Sequence, residues 1–224
     1  MTLVLAINTA TPHAGIALLK DEVILEEVTW LQGTSRSVFR PYANLLASKV
    51  KDILDGNKIL PPELDFLAVT VGPGSFTGVR SGVSFAKGFA LAGKIPLVPV
   101  QTLEALAWQS GPGKICPLID ARRGEFYWGI YQVEEGELKE IIGASLGKPE
   151  EIESQISNFS ELTFSGEPLW RKESLPPIFR EGKISPRETW CLRAKAVGEL
   201  GLIYFKEGKI QNPEEFLPFY LRGV

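Results

Sequence analysis

The stretch Gly72-Pro73-Gly74-Ser75-Phe76-Thr77-Gly78-Val79-Arg80 decides how this chain is read. It follows the apolar run Phe66-Leu67-Ala68-Val69-Thr70-Val71 and leads into Ser81-Gly82-Val83-Ser84-Phe85-Ala86-Lys87-Gly88-Phe89-Ala90. An unbroken apolar run bounded by glycine reads as a buried strand, and the continuation reads as a turn opening a helix. Glycine lacks a Cβ and accepts positive φ, so the turn brings its backbone close to a neighbour. That neighbour is either a phosphate at the helix N-terminus or another piece of protein. The turn is no match for the phosphate loop Gly-x-x-x-x-Gly-Lys-Ser/Thr, because Val79-Arg80 stand where Lys-Ser/Thr belong.

Working outward, Leu3 to Ile7 predicts a central strand, Gly15 to Leu19 its return after a turn at Thr11-Pro12-His13, and Val23 to Thr29 a third strand. A helix is expected from about Ser35 to Asp55, ended by Gly56-Asn57. Pro41 lies inside that span, and an interior proline costs about 3 kcal/mol, so the helix starts near Arg40 or kinks there. After the glycine turn and its helix come a strand, Ile95 to Val100, and a short helix, Thr102 to Gln109. Ser110-Gly111-Pro112-Gly113 breaks the pattern and sets a lobe boundary, giving lobes 1–110 and 111–224.

The second half repeats the first. Strands are expected at Ile115 to Ala121, Phe126 to Val133, Leu138 to Ile142 and Leu162 to Ser165, with a helix opening at Pro149-Glu150-Glu151. Ser185-Pro186-Arg187-Glu188 has the form of a capping box and predicts a helix running to about Lys206. Phe216 to Leu221 is expected as a last strand, with Pro218 at an edge. Each half reads strand–strand–strand–helix–strand–helix. Two such lobes predict an α/β fold of the actin-like, sugar-kinase type, with sheets antiparallel at the hairpins and parallel where helices intervene.

Composition narrows the function classes. The chain has 224 residues, 44% apolar, with a formal net charge of -3. Nucleic-acid binding is driven by phosphate neutralisation, and no long basic cluster is present, so any such role is expected to need a partner. The two cysteines, Cys116 and Cys191, have no metal-ligand spacing and read as buried small hydrophobes in a reducing compartment. No basic leader and no membrane-length apolar run occurs, which predicts a cytoplasmic protein away from membranes.

The reactive groups are few. His13 is the only histidine, so a helical histidine pair is impossible and a serine–histidine–aspartate site would have to use this one residue. No catalytic residue and no metal site is assigned. Actin-type ATPases and sugar kinases hold phosphate and magnesium at the first hairpin turn, here Asn8-Thr9-Ala10-Thr11, through an aspartate at the strand end. Asn8 is neutral and a poorer anchor; Asn8, Thr9 and Asp120 form a weak candidate nucleotide site.

The helices offer more. Gly78, Gly82, Phe85 and Phe89 share one helical face, and Val79, Val83, Ala86 and Ala90 the adjoining one. Their arc is wider than the ~100° stripe of a helix packed on one side. Val38, Phe39, Tyr42, Leu45 and Leu46 do the same on the first helix. These helices are either sandwiched within the protein or packed against a second polypeptide. On the second reading Val38, Phe39, Tyr42, Leu45, Leu46, Val79, Gly82, Val83 and Ala86 form the candidate partner interface, and Val83→Glu is expected to abolish association without unfolding.

Four pieces carry a resemblance: Gly72 to Gly82, Leu5-Ala6-Ile7-Asn8-Thr9-Ala10-Thr11, Asp120 to Trp128, and Pro218-Phe219-Tyr220-Leu221-Arg222. Together they resemble the TsaB (YeaZ) family across essentially the whole chain. The family usually opens with aspartate where this chain has Asn8, and often begins its first helix with histidine where Thr34-Ser35 stand here. The resemblance implies a two-lobed actin-type fold and a non-catalytic scaffold. It implies docking through the first-lobe helices on TsaD, the enzyme that transfers threonylcarbamoyl to the adenosine beside the tRNA anticodon. A small ATPase, TsaE, joins them; ATP and a metal belong to those partners, tRNA is met through the complex, and the chain pairs with itself when alone. The alternatives are a self-sufficient kinase-like ATPase using Asn8, Thr9 and Asp120, and a peptidase.

Overall fold

The computed structural model describes residues 1–31 and 42–222. Two compact units emerge: Met1–Gln101 with Arg193–Phe219, and Thr102–Leu192 with Tyr220–Val224.

In the first unit β1 (Leu3–Asn8), β2 (His13–Lys20) and β3 (Val23–Leu31) form an antiparallel meander. Helix α1 (Tyr42–Gly56) crosses to β4 (Phe66–Gly72), and α2 (Phe76–Gly93) crosses to β5 (Leu97–Gln101). Such crossovers make the neighbouring strands parallel, as β4 is to β1 and β5 to β4. The strand order is β3-β2-β1-β4-β5.

Alternate side chains of a strand point to opposite faces. Leu5, Ile7, Ile16, Leu18, Leu67 and Val69 share a core with Leu46, Val50, Val79, Val83 and Ala86 of α1 and α2. The alternating set meets α6 (Ala194–Lys206), where Phe66 stacks on Phe205 at 4.4 Å. A Cβ on Gly201 would lie 2.5 Å from Ala68 Cβ, so small residues seat α6 closely. With both faces covered, the central strands β1 and β4 are apolar without alternation, as the sequence shows, whereas the edge strand β3 keeps polar residues and stays partly exposed.

The second unit opens with α3 (Thr102–Gln109) and repeats the topology. β6 (Gly113–Asp120), β7 (Phe126–Glu134) and β8 (Glu137–Gly147) form the meander; α4 (Pro149–Ile156) leads to β9 (Leu162–Ser165), and α5 (Pro177–Glu181) to the short β10 (Lys183–Ile184). The order β10-β9-β6-β7-β8 is the first sheet's order over again, with the same parallel and antiparallel pairings. Ile152, Ile156 and Phe179 pack with Cys116, Leu118 and Trp128 on one face. The duplicated mixed sheet is the actin-like α/β fold expected from the element order.

Three expectations change. The lobe boundary at 110/111 differs from the contact units: α3 belongs to the second unit, and α6 returns to the first. The capping box at Ser185 opens only a single 3-10 turn, Arg187–Thr189, and the helix begins at Ala194. Trp190 explains this, since its indole N–H donates to Ser185 O at 3.0 Å and folds the segment into a compact turn. The last strand does not form either; Phe216 is buried in the first core, and Phe219 N–H donates to Val71 O at 2.7 Å as a single contact. Pro218 cannot donate, which stops a ladder from continuing there.

Candidate functional site

The first hairpin turn is sealed. Asn8 ends β1 fully buried; its amide donates to Thr11 Oγ1 and to His13 O, both at 3.0 Å, and its Oδ1 accepts from Ala10 N–H at 3.1 Å. An asparagine that closes its own turn is a common device, because the short side chain mimics backbone hydrogen bonding. Thr9 N–H donates to Thr70 Oγ1 at 3.3 Å, which ties the turn to β4. His13 is the half-buried first residue of β2, and its carbonyl serves the Asn8 contact.

The glycine turn closes on that hairpin. Ser75 N–H donates to Ala10 O at 2.7 Å, and Ser75 Oγ caps α2 by accepting from Gly78 N–H at 3.2 Å. A Cβ on Gly74 would lie 2.2 Å from Ala10 O, one on Gly72 2.5 Å from Phe219 O, and one on Gly82 2.1 Å from Thr9 Oγ1. The neighbours that the glycines approach are therefore atoms of the same unit. Two are carbonyl oxygens, whose partial negative charge repels phosphate. Of the weak nucleotide trio, Asn8 and Thr9 are locked in this packing, and Asp120 belongs to the other unit.

Helix α2 sorts its residues by face. Val79, Val83 and Ala86 are at most 3% exposed and, with Gly82, face the unit's own interior. Leu46 joins that core, and Leu45 is half-buried. Val38 and Phe39 lie outside the described residues, as does the Tyr42 side chain at the start of α1. Val83→Glu thus places a charge in a packed core, and the expected outcome changes from loss of association to loss of folding. Phe85 and Phe89 are half-buried and stack at 5.6 Å. The solvent stripe instead carries Phe76, Arg80, Ser84, Gly88 and Leu91, with the Arg80 guanidinium 3.8 Å from the Phe76 ring centre. Helical spacing of three and four puts these on one face.

The equivalent turn of the second unit is open. Asp120 ends β6 and accepts from Arg122 N–H at 2.7 Å; its other oxygen meets Arg171 at 3.2 Å and Arg122 at 3.7 Å. The turn borders a cleft of ≈ 400 Å³ lined by Asp120, Arg122, Arg123, Phe126, Pro168 and Arg171, among others. Arg222 of the terminal motif pairs with Glu125 and donates to Ala121 O at 3.3 Å. The expectation of a terminal strand had hidden this anchor. Cys116 is fully buried, as expected, and burial pushes its thiol well above the usual range. Cys191 is only partly buried.

A duplicated mixed sheet, here with its first hairpin turn packed inside the unit, defines an actin-like α/β protein. The family model described as TsaD, tRNA N6-adenosine threonylcarbamoyltransferase, matches residues 36–171. The tRNA threonylcarbamoyladenosine biosynthesis protein TsaB of Escherichia coli is 32% identical over 98% of this chain and 94% of its own length. Its Bacillus subtilis counterpart is 39% identical over 62% of this chain and 59% of its own. The solved YeaZ of Pseudomonas aeruginosa superposes with a TM-score of 0.81 at 26% identity, covering 99% of this chain and all of that one. The chain belongs to the TsaB (YeaZ) family. Among the described residues, no helix is long and apolar enough to cross a membrane.

Proposed function

We propose that this protein acts in the synthesis of threonylcarbamoyladenosine in tRNA as a non-catalytic partner of a TsaD-like enzyme in the cytoplasm. The observation that carries the reading is the sealed first turn. Asn8 spends its hydrogen bonds on its own hairpin, and the glycine turn spends the Ser75 N–H and the close approach of Gly74 on Ala10 of that hairpin. ATP and a metal then belong to the TsaD-like subunit and a TsaE-like ATPase. The chain lends a surface.

The α2 stripe supports that role. Phe76 and Leu91 are 46% and 53% exposed, and each apolar side chain buried on docking contributes up to about 1.5–3 kcal/mol. A Cβ at position 88 would meet nothing within 4 Å, which leaves room for a partner helix to approach. The same face pairs two copies of the chain when the enzyme is absent.

Co-expression with the TsaD-like protein, followed by mass measurement of the complex, tests this reading. Gly88→Arg is expected to abolish the complex while the isolated chain keeps its melting temperature. An intact complex in that variant overturns the surface. Tight, magnesium-dependent ATP binding by the isolated chain in calorimetry, or tRNA modification by it alone, overturns the non-catalytic role.

A further inference from the structure

We propose that the open cleft at the β6–β7 turn is a direct contact for the phosphate backbone of tRNA. This rests on the tRNA-modification reading and adds to it a site on this chain. Arg122, Arg123 and Arg171 converge on the cleft with Asp120 as the only acid in its lining. The lining thus carries a surplus of positive charge in a chain whose net charge is -3. Asp120 orients two of the guanidinium groups, at 3.2 Å for Arg171 and 3.7 Å for Arg122, without sequestering them. Their side chains stay 71% and 81% exposed, so water screens these pairs and the remaining donors of each fork are available to a phosphate. Arg123 has no ion-pair partner among the described residues, and Arg guanidinium is the side chain best matched to phosphate geometry.

The backbone points the same way. Arg122 and Arg123 have φ of 64° and 58°, a region that large side chains avoid and that Asn or Gly fills in hairpin turns. Sites that break a local rule without a packing reason are where function is sought. Phe126, Pro149, Pro168 and Leu175 supply an apolar wall suited to ribose or base. Trp170, adjacent in sequence to Arg171, is 55% exposed, packs edge-on against Trp190 at 4.8 Å, and has Arg187 5.8 Å from its ring. An exposed indole beside guanidinium groups is a stacking platform for an unpaired base.

The test is fluorescence anisotropy of labelled tRNA with the full chain, over about 50–200 mM salt. Arg122→Glu/Arg123→Glu is expected to weaken binding at least ~10-fold and to lower the salt slope by ~2, one per lost cation. Arg171→Glu, on a separate segment, repeats the loss should the turn variant misfold. Trp170→Ala is expected to weaken binding about fivefold or more. The charge-matched control Lys20→Glu/Lys139→Glu, on other exposed residues, leaves binding within ~2-fold. Equal loss in the control, or no tRNA binding at low salt, overturns the site. Binding of AMP or inorganic phosphate without tRNA assigns the cleft to a free anion and also overturns it. The arginine variants should still co-purify with the TsaD-like enzyme, so failure here is distinct from failure of the docking reading.

Discussion

In the first unit the turn after β1 is buried, with Asn8 wholly enclosed and each amide atom engaged inside the chain. In the second unit the turn after β6 stands in the same topological place, yet its Asp120 side chain keeps 27% of its surface and its arginines face solvent. The two sheets share strand order and pairing, so the strands do not explain the contrast. The element that follows the fourth strand does. After β4 the chain makes the glycine turn and lays α2 against the first hairpin; after β9 it makes the 3-10 segment Glu167–Ser174, which borders the second turn. A duplicated scaffold therefore packs one of its two equivalent turns inside the unit and leaves the other at the surface.

The largest effect expected from that contrast falls on the seal. Gly82→Val drives a branched side chain into Thr9 and is expected to cost about 3 kcal/mol or more, read as a lower urea midpoint with unchanged slope. Helix propensity alone argues the opposite sign, since replacing a helical glycine normally helps. Asn8→Ala comes next, at about 2–3 kcal/mol, because Thr11, His13 and Ala10 lose partners inside the core. At the other turn, Asp120→Ala removes only solvent-screened pairs and one turn contact. It should cost under about 1 kcal/mol, and it should strengthen tRNA binding by removing the one acid. A cost as large as that of Asn8→Ala would break the comparison. Gly88→Ala, on the open face of the helix that carries Gly82, sharpens it with the smallest effect: a gain of about 0.5–1 kcal/mol in thermal unfolding.

Much of the fold was legible. Apolar runs at Leu3–Ile7 and Phe66–Val71 announce central strands, and the repeated meander before each helix announces the duplication. Periodicity fails where one residue makes a tertiary bond. Ser185 looked like a cap, but Trp190 took its carbonyl. Phe216 looked like strand, but it is a plug in the first core. The candidate interface was legible only in part. Periodicity picked out the apolar arc of α2 but could not show that Val79, Gly82, Val83 and Ala86 turn into the unit's own core. The solvent stripe sets Arg80, Ser84 and Gly88 between Phe76 and Leu91, so it carries no continuous hydrophobic signal. The Arg122-Arg123 pair read as ordinary surface, because nothing in the sequence places Arg171 beside it.

By itself the sequence determined the duplicated α/β element order and the family, since these rest on local pattern and motif. Only the tertiary structure decided that α6 returns to the first sheet, that the glycine turn closes on Ala10 and Phe219, and that three arginines from two segments gather at one cleft. These are long-range contacts, settled by which surfaces fit once the sheets exist. Local pattern carries no record of them, because a glycine that admits a phosphate and one that admits a carbonyl oxygen are the same residue.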